Sequence, residues 1–288
     1  IRADITPQVA RIDAHSLAEP GVTRLCYAGS TLHTRPKSLL ASRSPIQLGA
    51  ELYGDDSLAG DVEIIRLMLA TLNAAGVAEV TLDLGHVGVY EAVLAAANVT
   101  PEQEADVFDA LQRKSRPDLL LALTDIAAPA AELILGLLEL HGDAAVLETA
   151  RRLLAKAAPE ALTAVAALET VATAIARSHP GTTVYFDLAE LRGYHYHTGM
   201  VFAAYAPGHA PALANGGRYN DVGKVFGRAR PATGFATDLK ALMALVPISL
   251  SAPGAVSAPD SDDPALLAAV TALRKGGEVV IRCVGRSP

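Results

Sequence analysis

The chain has 288 residues, 51 % of them apolar and 19 % charged, with a formal net charge of −7. That composition excludes a disordered chain, a collagen-like repeat and a coiled coil, and the negative balance argues against broad binding of nucleic acid or anionic membrane through bulk electrostatics. Two cysteines, Cys26 and Cys283, are too few for a disulfide framework or a structural zinc site, so a cytoplasmic location is expected.

Arg outnumbers Lys by 18 to 6, which leaves a local basic groove open. No apolar run is read as reaching the roughly 18–20 residues of a membrane span. The opening residues, IRADITPQVARIDAH, have neither a signal-peptide core nor an initiator Met, so the native start is expected to be missing.

In chain order, the first fifteen residues predict a short helix, with Thr6 as N-cap and Pro7 at the first helical position. Residues 22–28 and 45–53 predict strands, and 60–75 has helical periodicity up to Gly76. A strand at 79–85 and a helix at 87–97 follow. From 101 to 179 the pattern is helical throughout and reads as an insertion between two halves of a sheet domain. Strands resume at 182–187, 198–205 and 211–215, and 232–246 runs from strand to helix. Residues 247–263, rich in Pro, Ser and Ala, read as a linker before a short helix and strand in 264–288.

Three segments carry residues suited to recognition. On the strand at 45–53, side chains alternate, so Gln47, Gly49, Glu51 and Tyr53 share one face. An amide and a carboxylate on that face suit a small ligand with an amine, although an ordinary solvent-exposed face fits the same pattern. The segment LRGYHYHTG at 191–199 combines Arg192, His195, His197, Tyr194 and Tyr196, a mixture suited to a carboxylate and a ring. His195 and His197 would form half a metal site if that segment were a strand, yet no Cys or carboxylate cluster completes it, and no metal is expected. In ANGGRYNDVG at 214–223, paired glycines either admit a ligand to the backbone or make a hairpin turn at Asn215–Gly216. Asp4 and Thr6 fit a helix cap equally well, and Cys26 reads as a small core residue.

These segments, in this order, resemble the catalytic domain of histidyl-tRNA synthetases. RADIT (2–6) resembles the family's Arg-Pro-Glu-Gly-Thr, and residues 27–54 resemble motif 2 with its following strand. LRGYHYHTG resembles the Arg-Gly-Leu-Asp-Tyr-Tyr-Thr-Gly loop, GGRYN the Gly-Gly-Arg-Tyr-Asp turn, and TGFATDLKAL (233–242) motif 3. The resemblance spans most of residues 1–246. It implies an α+β class II aminoacyl-tRNA synthetase-like fold, an antiparallel sheet flanked by helices with the 101–179 block as insertion. Motif 1, a dimerisation element in that family, has no counterpart.

The departures from the pattern matter as much. The phosphate-binding Arg of motif 2 falls on Leu32 and its Glu on Thr34, with Arg35 nearby. The Arg of motif 3 falls on Ala241 and its Glu on Lys240. Loss of such charge stabilisation implies a dismantled ATP site and no catalysis. The amino-acid site is better kept. By the resemblance, Asp4, Thr6, Gln47, Glu51, Arg192, Tyr196, His197 and Tyr219 would bind histidine, with Asp4 in place of a Glu and His197 in place of a Tyr. The tail after residue 246 is read as too short for an anticodon-binding domain.

A synthetase-like chain that keeps a histidine pocket without an ATP site resembles the regulatory subunits of ATP phosphoribosyltransferase. The resemblance implies a self-dimer within a hetero-octamer containing the short-form catalytic subunit, activation of that subunit, and histidine as the feedback ligand rather than a cofactor. A divergent histidyl-tRNA synthetase and a free-standing amino-acid sensor are the competing readings.

Overall fold

The computed structural model describes residues 2–36, 42–194, 196–246 and 254–283. They form two compact units, Ile1–Val246 and Pro247–Pro288.

The larger unit is built on an eight-stranded sheet in the order β1-β2-β8-β7-β6-β3-β5-β4. The strands are β1 (Thr23–Ser30), β2 (Ile46–Tyr53), β3 (Thr81–His86), β4 (His141–Gly142), β5 (Thr183–Asp187), β6 (Met200–Ala206), β7 (His209–Arg218) and β8 (Ala232–Asp238). Neighbours are antiparallel except β3 and β5, which run parallel, so the sheet is mixed where an antiparallel one was expected. The parallel pair arises because the helical block between them returns the chain in the same direction.

Helix α1 (Thr6–Arg11) is short. Ile5 occupies the N-cap position and gives no side-chain cap, and a wider-turned helix continues over Ile12–Leu17. Helices α2 (Leu58–Ala74) and α3 (Val87–Ala97) follow their strands directly. The block beyond contains α4 (Pro101–Gln112), α5 (Arg116–Ala122), α6 (Ala128–Leu137), α7 (Ala145–Ala157) and α8 (Ala161–Ser178). Thr100 and Gln103 form a reciprocal capping box at the start of α4, and prolines sit in the first turns of α4, α5 and α6, where a missing N–H costs nothing. This block is not purely helical. His141–Gly142 pairs with Phe186–Asp187 at the sheet edge, a bridge too short to leave a periodic signal.

The principal core joins sheet and helices through Leu52, Ile65, Met68, Leu82, Leu84, Tyr90 and Phe186, all at most 1 % exposed. Helix α8 is the one described helix long and apolar enough to cross a membrane, which the sequence reading missed. It buries Ala161, Val165, Leu168, Val171 and Ile175 in the core and contacts α2, α3 and α7. Helix α9 (Leu239–Leu245) follows β8, capped by Asp238, whose carboxylate accepts from Lys240 N.

Three local expectations change. Asn215–Gly216 is no turn: β7 runs straight through it, and the chain reverses at Pro207–Gly208, where Gly208 has φ +76°. Cys26 is exposed rather than buried, because it lies on the outward face of edge strand β1. His197 lies in a loop rather than on a strand, and His195 falls outside the described residues. Among the described residues no cluster could hold a metal ion.

The smaller unit pairs β9 (Val256–Pro259) with β10 (Val280–Cys283) in parallel, linked by α10 (Pro264–Lys275). Strand β9 lies inside the span read as linker; four residues of Val, Ser, Ala and Pro give too little alternation to announce a strand. Ala258, Val270 and Val280 form its small core.

Candidate functional site

One face of the large sheet carries the site. Glu51 on β2 aligns with Gly234 on β8, which aligns with Gly217 on β7 and, through it, Val201 on β6. Two residues along each strand, the next row runs Gly49, Ala236, Asn215, Ala203 and Asp83. Glycine and alanine dominate both rows, so the floor is shallow in side chains. Gly234 is required where it is: a Cβ there would run into the Glu51 carboxylate. A Cβ at Gly49 would strike the Tyr27 hydroxyl.

Glu51 is 2 % exposed. Its Oε1 accepts from the Tyr27 hydroxyl at 3.0 Å and its Oε2 from the Tyr219 hydroxyl. Burial pushes its pKa up to about 7, against the two tyrosine hydrogen bonds that lower it. The carboxyl therefore sits near its own midpoint at neutral pH. A cationic or N–H-donating ligand would favour the ionised form.

Around Glu51 the aromatic rings are ordered. Tyr196 stacks on Tyr219 with centroids 5.0 Å apart, and Tyr53 meets Tyr219 edge-on at 6.4 Å. The Tyr196 hydroxyl is buried with no partner among the described residues, which leaves a donor and acceptor available to a ligand. Next along the loop, His197 stands edge-on to Tyr196 at 5.3 Å, its Nδ1 3.3 Å from the Arg218 carbonyl. Burial holds its pKa down at about 4, so it is a neutral imidazole at physiological pH.

The N-terminal segment closes one side. Thr6 Oγ1 lies 2.9 Å from the Tyr27 hydroxyl, Gln47 Oε1 accepts from Ile5 N at 3.0 Å, and Gln47 Nε2 donates to Asp4 Oδ1 at 2.8 Å. Asp4, Thr6, Gln47, Glu51, Tyr196 and Tyr219 thus converge through shared hydrogen bonds and ring contacts. Arg192 stands apart, over β6 and β7. Its guanidinium meets Asn215, Tyr205 and Glu190, and it borders a cavity of about 90 Å³ that His197 and Asp83 also line.

Leu32 and Thr34 are exposed at the end of β1, and Leu32 N donates to the Arg2 carbonyl. Ala241 lies in α9 beside Lys240, whose ammonium is engaged by the Ser44 carbonyl. Neither Leu32 nor Ala241 supplies a charge for a phosphate.

Sequence reasoning overlooked Tyr27, which bonds both Thr6 and Glu51, although its alternation with Leu25 on β1 would have put it on the ligand face. It also overlooked the role of Arg218. That side chain, 7 % exposed, pairs with Asp61 at 3.0 Å and donates to the carbonyls of Asp55 and Ser57. It fastens the loop before α2 beneath the site and does not face a ligand.

Residues 1–242 match the family described as Histidyl-tRNA synthetase, and residues 253–286 match the ATP phosphoribosyltransferase subunit HisZ C-terminal domain. Over 285 residues the chain is 55 % identical to the ATP phosphoribosyltransferase regulatory subunit of Thioalkalivibrio sulfidiphilus, covering 98 % of this chain and 72 % of that one. The chain belongs to the family of ATP phosphoribosyltransferase regulatory subunits. As such it is a regulatory, non-catalytic subunit serving histidine biosynthesis.

A solved ATP phosphoribosyltransferase regulatory subunit/histidyl-tRNA synthetase from Bacillus halodurans superposes with a TM-score of 0.83 at 28 % identity, over 100 % of this chain and 75 % of that one. The fold is therefore α+β and class II synthetase-like. A chain from the Thermotoga maritima ATP phosphoribosyltransferase (HisG:HisZ) complex shares the fold, with a TM-score of 0.65 at 19 % identity over 83 % of this chain and 81 % of that one.

Proposed function

We propose that the regulatory subunit binds free histidine on the Glu51 face and thereby relays feedback inhibition to a short-form catalytic subunit that it otherwise activates. The observation carrying this reading is Glu51 itself. A buried carboxyl between two tyrosine hydroxyls, beside stacked rings and an unpartnered phenol, has the chemistry to hold a ring nitrogen or an amine. Asp4, Thr6 and Gln47 supply further polar groups for the ligand's backbone end, and Arg192 supplies the cation for a carboxylate. His197, neutral and flanking Tyr196, adds a wall without repelling a cationic ligand.

The uncharged Leu32 and Ala241 support binding without adenylate formation. By analogy with the Thermotoga maritima HisG:HisZ complex, the partner is the catalytic subunit, and the same proposal places the assembly in the cytoplasm as a hetero-octamer containing dimers of the regulatory chain. Feedback then follows from linkage: histidine must bind the inhibited assembly more tightly than the active one.

Calorimetry on the full-length gene product tests the pocket. Histidine should bind saturably, and Glu51→Ala should abolish the heat. Unchanged affinity in that variant, or histidine-dependent ATP–pyrophosphate exchange by the wild type, would overturn the reading.

A further inference from the structure

The guanidinium of Arg192 is held from three directions. Its Nη1 donates to Asn215 Oδ1 at 2.9 Å, and its Nη2 donates to the Tyr205 hydroxyl at 2.9 Å and to Glu190 Oε2 at 3.2 Å. Glu190 also accepts from the Arg192 main-chain N at 2.7 Å, so one carboxylate grips both ends of the same residue. Asn215 lies on β7, Tyr205 on β6 and Glu190 in the loop after β5. Three elements thus fix one flexible side chain that is itself 49 % exposed.

A side chain this exposed contributes little to folding through its ion pair. Its restraint has a different consequence. An arginine recognises a carboxylate through a planar fork, and a fork already fixed loses less freedom on binding. The position suits that task. Asn215 and Glu51 share a sheet face and are separated by two strand spacings and one row along the strands, roughly 12 Å. The floor between them is Gly217, Gly234 and Ala236, with the His197 ring packed over Gly217 as a large side chain beside that path.

We propose that Glu190, Asn215 and Tyr205 are positioning residues, which hold Arg192 ready for the carboxylate of an amino acid whose other end lies at Glu51. This rests on the histidine reading of the same pocket and extends it from Arg192 to the residues that hold its guanidinium. It also makes the loop at 190–193 the element that distinguishes an amino acid from its decarboxylated amine.

Calorimetry on the full-length protein with two ligands tests this. Histamine has the imidazole and amine of histidine but no carboxylate. Glu190→Ala, and the double variant Asn215→Ala/Tyr205→Phe, should each weaken histidine about tenfold, the loss expected for a charge-assisted hydrogen-bond frame. Histamine affinity and the thermal midpoint should not change. Equal losses for both ligands would reduce the three residues to a structural role and overturn the proposal, as would unchanged histidine affinity. A wild-type protein that binds neither ligand would instead remove the pocket reading on which the proposal stands.

Discussion

Tyr219, the residue immediately after β7, donates its hydroxyl hydrogen to Glu51 on β2, although the two are 168 positions apart and both at most 2 % exposed. This bond crosses over β8, and it is possible because Gly234 on that strand has no side chain to intervene. The site therefore depends on the sheet order, and a change at any of these three positions is felt at Glu51.

Tyr219→Phe leaves one oxygen of a buried carboxyl without its donor. The expected cost is about 1–3 kcal/mol of stability. The Glu51 pKa should rise further, since the lost hydrogen bond favours the ionised form. Urea denaturation gives the first value, and the pH dependence of histidine affinity in the variant gives the second.

Glu51 and Asp83 make stability fall as pH rises. Both have folded-state pKa values raised to about 7, chiefly by burial, and for Asp83 also by Asp187 and Glu190. A group so shifted stabilises the fold fully below its ordinary pKa, and the contribution disappears as pH climbs through 7. Replacing Glu51 with Gln should shift the stability difference in the variant's favour by on the order of 3 kcal/mol between acidic and mildly alkaline pH. Asp83→Asn should act in the same direction. Comparing variants isolates these groups from His86 and His197, whose lowered pKa values act with the opposite sign in more acidic solution. Urea midpoints on both sides of neutrality are the measurement.

Arg218→Met should be among the most destabilising single changes, costing about 3–5 kcal/mol, because it strands the buried Asp61 carboxylate. Adding Asp61→Leu should recover much of that loss. Denaturation of both variants and the wild type completes the comparison.

Ala241→Arg restores the motif 3 cation in α9 but leaves Leu32 uncharged at the motif 2 position. Amino-acid activation should remain absent, measured as histidine-dependent ATP–pyrophosphate exchange.

Much of this arrangement was legible in the residues, for identifiable reasons. Strand periodicity put Gln47 and Glu51 on one face because a pleat leaves no other choice. The segments around Arg192 and Tyr219 stood out because apolar cores do not need Arg, His and Tyr together. What stayed hidden depends on neighbours distant in sequence. Asn215–Gly216 has the composition of a turn, yet pairing with both β6 and β8 holds it extended. Cys26 has the character of a core residue, but β1 is an edge strand and that face is open. The grip of Glu190, Asn215 and Tyr205 on Arg192 joins three separate elements, which no local spacing reveals.

The most direct test of the account is an ATP phosphoribosyltransferase assay on a short-form catalytic subunit, with this protein added and histidine then titrated. Wild-type protein should stimulate the reaction, and histidine should suppress it. Glu51→Gln should stimulate equally and lose most of the histidine response. Absence of stimulation, or a Glu51→Gln complex as sensitive to histidine as the wild type, would contradict the account.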